Sequence, residues 1–221
     1  MNQALSIDSP YLTLIKNYSY HKIMLIDMHI HTRFSPCSII RVAQLVKKAR
    51  ETGLDGICIT DHDTIASKSV LKNIAEHQSI CIIIGMEYTT RKGDFLVFGP
   101  VDHIASGMDA EDLMKWSKKE GAILIPAHPF RKERPVDMDI LKKSKIIEGL
   151  NGRNRPHENE LCQIWLREHG NGIKITGGSD AHTLEEVGRI VTVFKNNIYN
   201  MEDLVKELRN NDFSPKLRHS F

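Results

Sequence analysis

Ile23-Met24-Leu25-Ile26-Asp27-Met28-His29-Ile30-His31-Thr32-Arg33 is the stretch from which the rest of the chain is read. Residues 23–26 form an apolar run that reads as a buried strand, and it ends in Asp-x-His-x-His. A strand turns alternate side chains the same way, so His29 and His31 project together and can grip one ion. Alone, His-x-His is a weak signal. The next apolar run, residues 56–59, ends the same way in Thr60-Asp61-His62-Asp63.

Further outward the pattern continues. Apolar runs at residues 80–84, 95–98, 122–125, 146–147, 173–175 and 190–194 read as strands. Helical spacing occupies 40–51, 64–76, 109–120, 156–168 and 201–210, with Gly53, Gly121 and Gly170 at C-cap positions and Asp109 and Asn200 at N-caps. This βα alternation predicts a largely parallel sheet, open or closed into a barrel.

Ligand-type residues follow the apolar runs. Gly85-Met86-Glu87-Tyr88 closes the third run, Ala127-His128-Pro129 the fifth, and Gly178-Ser179-Asp180-Ala181-His182 the seventh. In parallel α/β folds those ends converge on one face, where active sites form. Imidazoles with carboxylates suit zinc, manganese(II) or iron(II) in an open catalytic site. The set exceeds what one ion can use, and Glu87 is a natural bridge between two. Gly177-Gly178-Ser179 reads as a tight turn carrying Asp180 and His182 inward. No nucleophile elbow, P-loop or dinucleotide fingerprint competes.

Bulk properties narrow the function. Thirty basic and 28 acidic residues leave a formal charge of +2, too balanced for a dedicated duplex-binding surface. A small phosphorylated substrate or a short nucleic acid fits better. No apolar run approaches the roughly 20 residues of a membrane span, so a cytoplasmic protein without a membrane partner is expected. Cys58 and Cys81 sit inside apolar runs, and the four cysteines form neither a disulfide framework nor a zinc ribbon. Residues 1–22 read as an N-terminal appendage and 23–221 as a single domain.

In order and spacing the motifs from Asp27 to His182 closely resemble those of the PHP (polymerase and histidinol phosphatase) superfamily. The resemblance implies a distorted seven-stranded β/α barrel of TIM-like, PHP type, holding two to three divalent metal ions, and metal-dependent hydrolysis of a phosphate ester by metal-activated water. By position it places His29, His31, Glu87 and Asp180 on a first metal, and Glu87 and His128 on a second. His62 and His182 match the residues that serve a third. Two positions depart from the family. Cys37 stands where trinuclear relatives carry a histidine, and Asp94 stands where many carry a histidine before the fourth strand, with His103 as the alternative ligand. Arg33 and Arg131 are the expected phosphate-binding cations, Arg153 and Arg155 lesser ones, and His62 or His182 the proton donor to the leaving oxygen. The alternative is a partly degenerate metal-binding module without catalytic activity.

Overall fold

The computed structural model describes residues 23–71, 80–210 and 212–218. In chain order the elements are β1 (Met24–Ile30), α1 (Val42–Glu51), β2 (Gly56–Ile59), α2 (Ser67–Leu71), β3 (Cys81–Ile84), β4 (Met86–Thr90) and β5 (Gly93–Phe98). There follow α3 (Ala110–Glu120), β6 (Ile123–Pro126), α4 (Met138–Lys143), β7 (Ile146–Asn151), α5 (Pro156–His169), β8 (Lys174–Gly178), β9 (Ile190–Phe194), α6 (Met201–Asn210) and β10 (Phe213–Leu217). The N-terminal appendage, residues 72–76 of the expected second helix, and His21, His77 and His219 lie outside the described residues. None of the described helices is long and apolar enough to cross a membrane.

Three ladders form, in the orders β10-β9-β1-β2-β3, β4-β5-β6 and β7-β8, and none is closed. A continuous seven-stranded barrel is therefore not what the hydrogen bonding draws. The sheet is also less parallel than the sequence implies. β1–β2, β2–β3 and β7–β8 are parallel, whereas β4–β5, β5–β6, β1–β9 and β9–β10 are antiparallel. For β4–β5 the reason is connection length. Only Arg91 and Lys92 separate β4 from β5, and a two-residue link can join only antiparallel strands, since a parallel crossover needs a dozen or more. β10 carries Pro215, which is tolerated because that strand lies at a sheet edge.

The helices pack by their apolar stripes. α1 buries Val42, Leu45, Val46 and Ala49, the i, i+3, i+4, i+7 face, and Val42, Leu45 and Ala49 join a cluster with Ile57 and Ile59 of β2. Leu45→Ala there is expected to cost about 2–5 kcal/mol. The other face of β1 and β2 carries Ile26, Met28 and Cys58 into a second cluster with Leu96, Phe98, Ile125 and Phe194, covered by Leu204 and Leu208 of α6. α3 and α5 bring Leu113, Cys162 and Trp165 into a third cluster with Phe95 and Val97 of β5. Asp109 caps α3, accepting from the Asp112 amide, and Gly121 ends it at φ +72°. Gly170 ends α5 at φ −83°, outside the left-handed conformation expected of it.

Strand ends are sewn together at one face. The Asp180 amide donates to His29 O (2.7 Å) and the His31 amide to Ala181 O (3.0 Å), tying the end of β8 to β1. His62 and Glu87 form a parallel bridge that joins the exit of β2 to β4. Gly177 and Gly178 belong to β8 and not to a turn. A Cβ on Gly178 would lie 2.4 Å from His29 Cβ, so glycine is what allows β8 to approach the first histidine.

Candidate metal centre

Four buried ligand-type atoms converge at this face. His29 Nε2 and His31 Nε2 lie 3.0 Å apart. Glu87 Oε2 is 3.2 Å from the first and 3.0 Å from the second, and Asp180 Oδ1 is 3.5 and 3.3 Å away from them. Two ligands of one tetrahedral ion, each about 2.05 Å from it, sit about 3.3 Å apart. The observed spacing is that of a coordination shell.

The tautomers agree. His29 Nδ1 donates to Glu148 Oε1 (3.0 Å). His31 Nδ1 faces Ser35 Oγ (3.2 Å), whose own hydroxyl donates to Asp61 Oδ1 (2.8 Å), so Ser35 accepts from His31. With both Nδ1 atoms protonated, both Nε2 lone pairs point into the same space. Lone pairs 3.0 Å apart repel unless a cation stands between them.

The second oxygen of Glu87 faces another group. His128 Nε2 lies 2.8 Å from Glu87 Oε1, and Glu87, Asp94 and His128 offer ligand atoms within 4.8 Å of one another. Glu87 thus spans two clusters, one per oxygen. His62 Nδ1 lies 3.4 Å from Glu87 Oε2 and has no hydrogen-bond partner, as is also true of the buried His128 Nδ1. At the rim, His31, Cys37 and His182 form a further group, with His182 Nε2 3.1 Å from Cys37 Sγ. That trio includes His31 where the family pattern would put His62. His62 instead stacks on His31, ring centroids 4.6 Å apart. His103 is exposed in a short helical turn, joined to none of these groups.

Three loop residues beside the cluster hold left-handed backbone: Asp63 at φ 51°, His128 at 32° and Asp180 at 53°. Such a conformation costs a non-glycine residue about 1–3 kcal/mol and persists where surroundings over-determine it. Here each amide is tied to the site: Asp63 N to Glu87 O, His128 N to Glu148 Oε2, and Asp180 N to His29 O.

Glu148 carries no motif signature, yet it orients His29 and His128 together. Its one sequence signal is a charge inside the apolar run Ile146-Ile147-Glu148-Gly149-Leu150. Asn151 continues the support, donating to Glu148 Oε2 (3.0 Å) and Asp180 Oδ2 (3.3 Å). Asp27 accepts from the amides of Ser179 and Gly188 (2.9 Å each), and burial pushes its carboxyl up to about 6. Asp61 holds the loop after β1 through Thr32 N and Oγ1 and Ser35 Oγ.

Charge explains the proton affinities. Burial opposes a proton on His29, but the carboxylates of Asp180, Glu148 and Glu87 outweigh it and raise the pKa well above its usual value. His31 follows, raised to about 9 by Asp180 and Glu87 against burial. Glu87 and Asp180 are pulled well below the carboxylate range by the surrounding imidazoles despite burial. At the rim the balance reverses. Burial, with His31 nearby, lowers His182 to about 4, and burial lowers His62.

The arginines differ from expectation. Arg33 is exposed, its guanidinium 5.8 Å from the Phe34 ring; among the described residues no hydrogen bond or ion pair joins it to the cluster. Arg131 does reach it, donating to Asp180 Oδ2 (2.7 Å), Asn151 Oδ1 (2.8 Å) and Asn154 Oδ1 (3.1 Å). Arg155 pairs with Glu133. Arg134, three residues past Arg131, grips Asp94 with two donors at 2.5 and 2.6 Å.

Comparison with known proteins gives one partial family match and several likenesses of fold. Residues 156–213 match the PHP-associated family, PHP_C. The fold is similar to that of PsfC from Pseudomonas syringae (TM-score 0.72, 18% identity, 89% of this chain and 92% of that one). It is similar to a proposed metal-dependent phosphoesterase from Bifidobacterium adolescentis (0.59, 17%, 84% and 96%). A third likeness is to Endonuclease Q, solved with a 27-mer duplex bearing an abasic lesion (0.65, 16%, 87% and 58%). These likenesses are of fold, and the family match is confined to residues 156–213.

Proposed function

We propose that this protein is a metal-dependent phosphoesterase. The observation that carries the reading is the buried quartet of His29, His31, Glu87 and Asp180, spaced 3.0–3.5 Å apart with both imidazole lone pairs facing one point. These four would hold a first divalent ion, and Glu87, His128 and Asp94 a second. His182 and Cys37, with His62 beside them, are the candidates for a third. Zinc, manganese(II) and iron(II) all suit imidazole with carboxylate. Such ions supply Lewis acidity toward water and toward the phosphoryl oxygens.

The remaining residues bind and orient. Arg131 holds Asp180 and Asn151, keeping the carboxylate turned into the quartet. His182 Nδ1 donates to Asp180 O (2.8 Å), so its neutral ring faces the rim with a lone pair. That makes it a ligand or proton acceptor, and leaves His62 as the better donor to a leaving oxygen. The chain's route round the ladders is read as a distorted, incompletely bonded β/α barrel, residues 23–221 being one domain that works in the cytoplasm.

Chelator treatment is expected to abolish hydrolysis of phosphate esters, and manganese, zinc or iron(II) to restore it, in a screen of mononucleotides, sugar phosphates, histidinol phosphate and short oligonucleotides. Full turnover by metal-free protein would sink the mechanism. A second reading, a nuclease, draws on the likeness to Endonuclease Q; preferential cleavage of oligonucleotides with steep salt dependence would favour it. Metal-loaded protein inactive on every ester would point to a binding module.

A further inference from the structure

We propose that the chain carries a second binding site, at the opposite pole from the metal centre, for a medium-length aliphatic chain ending in a carboxylate. This stands independently of the phosphoesterase reading. The site is a cleft of about 950 Å³ bounded by the second half of α3, the loop between α4 and β7, the start of β8 and the end of α6. Ile123, Ile146 and Lys174, the first residues of β6, β7 and β8, line it. His128 and Asp180 follow the other ends of β6 and β8, which run for four and five residues at about 3.3 Å each. No member of the ligand clusters lines the cleft.

Charge is concentrated there. Lys118, Lys143, Lys145, Lys174 and Arg209 line the cleft and, among the described residues, no carboxylate does. The chain as a whole nearly cancels, with 30 basic and 28 acidic residues. Lys118 and Lys143 sit in last helical turns, where carbonyl ends attract a cation. Lys145 lies beyond α4 and has no such role. Among the described residues no ion pair neutralises Lys118, Lys143 or Lys145. The Lys174 amide donates to Lys145 O (2.9 Å), which sets these two residues side by side. Lys174 Nζ donates to Arg209 O (3.0 Å), and Arg209 Nη2 to Gly121 O, so this part of the rim is held in place.

Beneath the rim the floor is apolar. Met114, Ala122 and Leu124 pack, partly buried, against one core cluster, while Ile146 and Leu208 belong to another, so two clusters reach the surface in the cleft. An apolar floor under a cationic rim is complementary to an apolar body with an anionic head. The volume is that of a small-ligand pocket, about 300–1,000 Å³. Among the described residues no aromatic ring lines it to stack a base, and no Asn, Gln, Asp or Glu is there to read polar edges, which disfavours a nucleotide. α3, α4 and α6 all end beside the cleft, and their carbonyl ends repel a doubly charged phosphate more than a singly charged carboxylate.

The test uses the full chain after chelation, which keeps an anionic head from binding a metal. Octanoate, decanoate and dodecanoate are titrated by calorimetry at low salt, below their micellar concentrations. One saturable site is expected, with affinity rising about twofold or more per added methylene and falling as salt is added. Lys143→Gln combined with Lys145→Gln is expected to weaken decanoate about fivefold or more, with the melting temperature and metal uptake of wild type. Decanoate affinity within about twofold of wild type in that variant would overturn the site. So would decyl maltoside, which has the chain and no charge, binding as tightly as decanoate, or the absence of saturable binding by any of the three acids. Decyl phosphate binding more than about tenfold tighter than decanoate would overturn the carboxylate head. Decanoate binding only to metal-loaded protein would place the anion at the metal centre and overturn the second site.

Discussion

His29 and His182 share a tautomer and part company in charge. Each donates from Nδ1, to Glu148 and to the Asp180 carbonyl respectively, and each turns Nε2 toward other ligand-type atoms. His29 is wholly buried among the carboxylates of Glu87, Glu148 and Asp180, and its pKa is raised well above the usual value. His182 stands at the rim beside His31 and Cys37, and burial and His31 lower it to about 4. The inner cluster gathers carboxylates that favour positive charge on or between its imidazoles, and it sits on strand ends. The outer cluster has no carboxylate of its own and includes an exposed thiol. Tight metal binding belongs to the first region, and weak or optional binding to the second.

The hardest way to break this contrast is to remove a shared carboxylate. Glu87→Ala, which takes an oxygen from both buried clusters, is expected to lower activity roughly a hundredfold or more and to reduce metal per chain. Combining it with His29→Ala should add little, because residues acting as a unit are not additive. Two metals retained in Glu87→Ala, by elemental analysis, would end its bridging role.

Glu148→Gln tests whether support matters as much as ligation. Loss of the carboxylate behind His29 is expected to lower metal affinity about 10–100-fold, measured by competition with a chelating dye. An unchanged affinity would show that strand geometry alone orients His29.

Asp94 is next in size. Asp94→Ala should lower second-metal occupancy and activity about tenfold, Asp94→His should recover part of both, and His103→Ala should stay within about twofold of wild type. The reverse order would move the ligand to His103, against its exposed position in the fold.

At the rim, Cys37→Ser and His182→Ala are expected to leave the tightest metal in place and to change activity by less than about tenfold. Loss of that metal in His182→Ala would erase the distinction between the two regions.

The smallest effect is one of pH on the metal-free protein. His31, raised from 6.5 to about 9, contributes stability that is fully present below pH 6.5 and lost as pH rises through 9. Thermal melts of chelated protein should therefore fall over that window. Metal-loaded protein, whose ligands have already given up their protons, should not show that decline. Equal pH profiles for the two forms would mean that the inner cluster holds no proton in place of a metal.

Much of the site was legible because ligand-type residues cluster just after apolar runs, and strand ends in an α/β fold share a face. His29, His31, Glu87, His128 and Asp180 could be named that way. Glu148 could not, since one carboxylate in a strand carries no period and reads as an outward-facing residue. Arg134 was hidden for a different reason. Nothing in His128-Pro129-Phe130-Arg131-Lys132-Glu133-Arg134 says which guanidinium turns to Asp180 and which to Asp94. The antiparallel hairpin was signalled only by the missing crossover between Thr90 and Gly93.

By itself the amino-acid order determined the βα alternation, the donor chemistry of the site and its place at the ends of strands, because these follow from periodicity and residue type. Tertiary structure decided which oxygen of Glu87 serves which cluster, that His31 and not His62 joins Cys37 and His182, and that the ladders stay open. Those outcomes depend on distances of a few ångströms between residues as far apart as His31 and His182. Such distances are set by how β8 packs against β1 at Gly178, and sequence spacing does not record them.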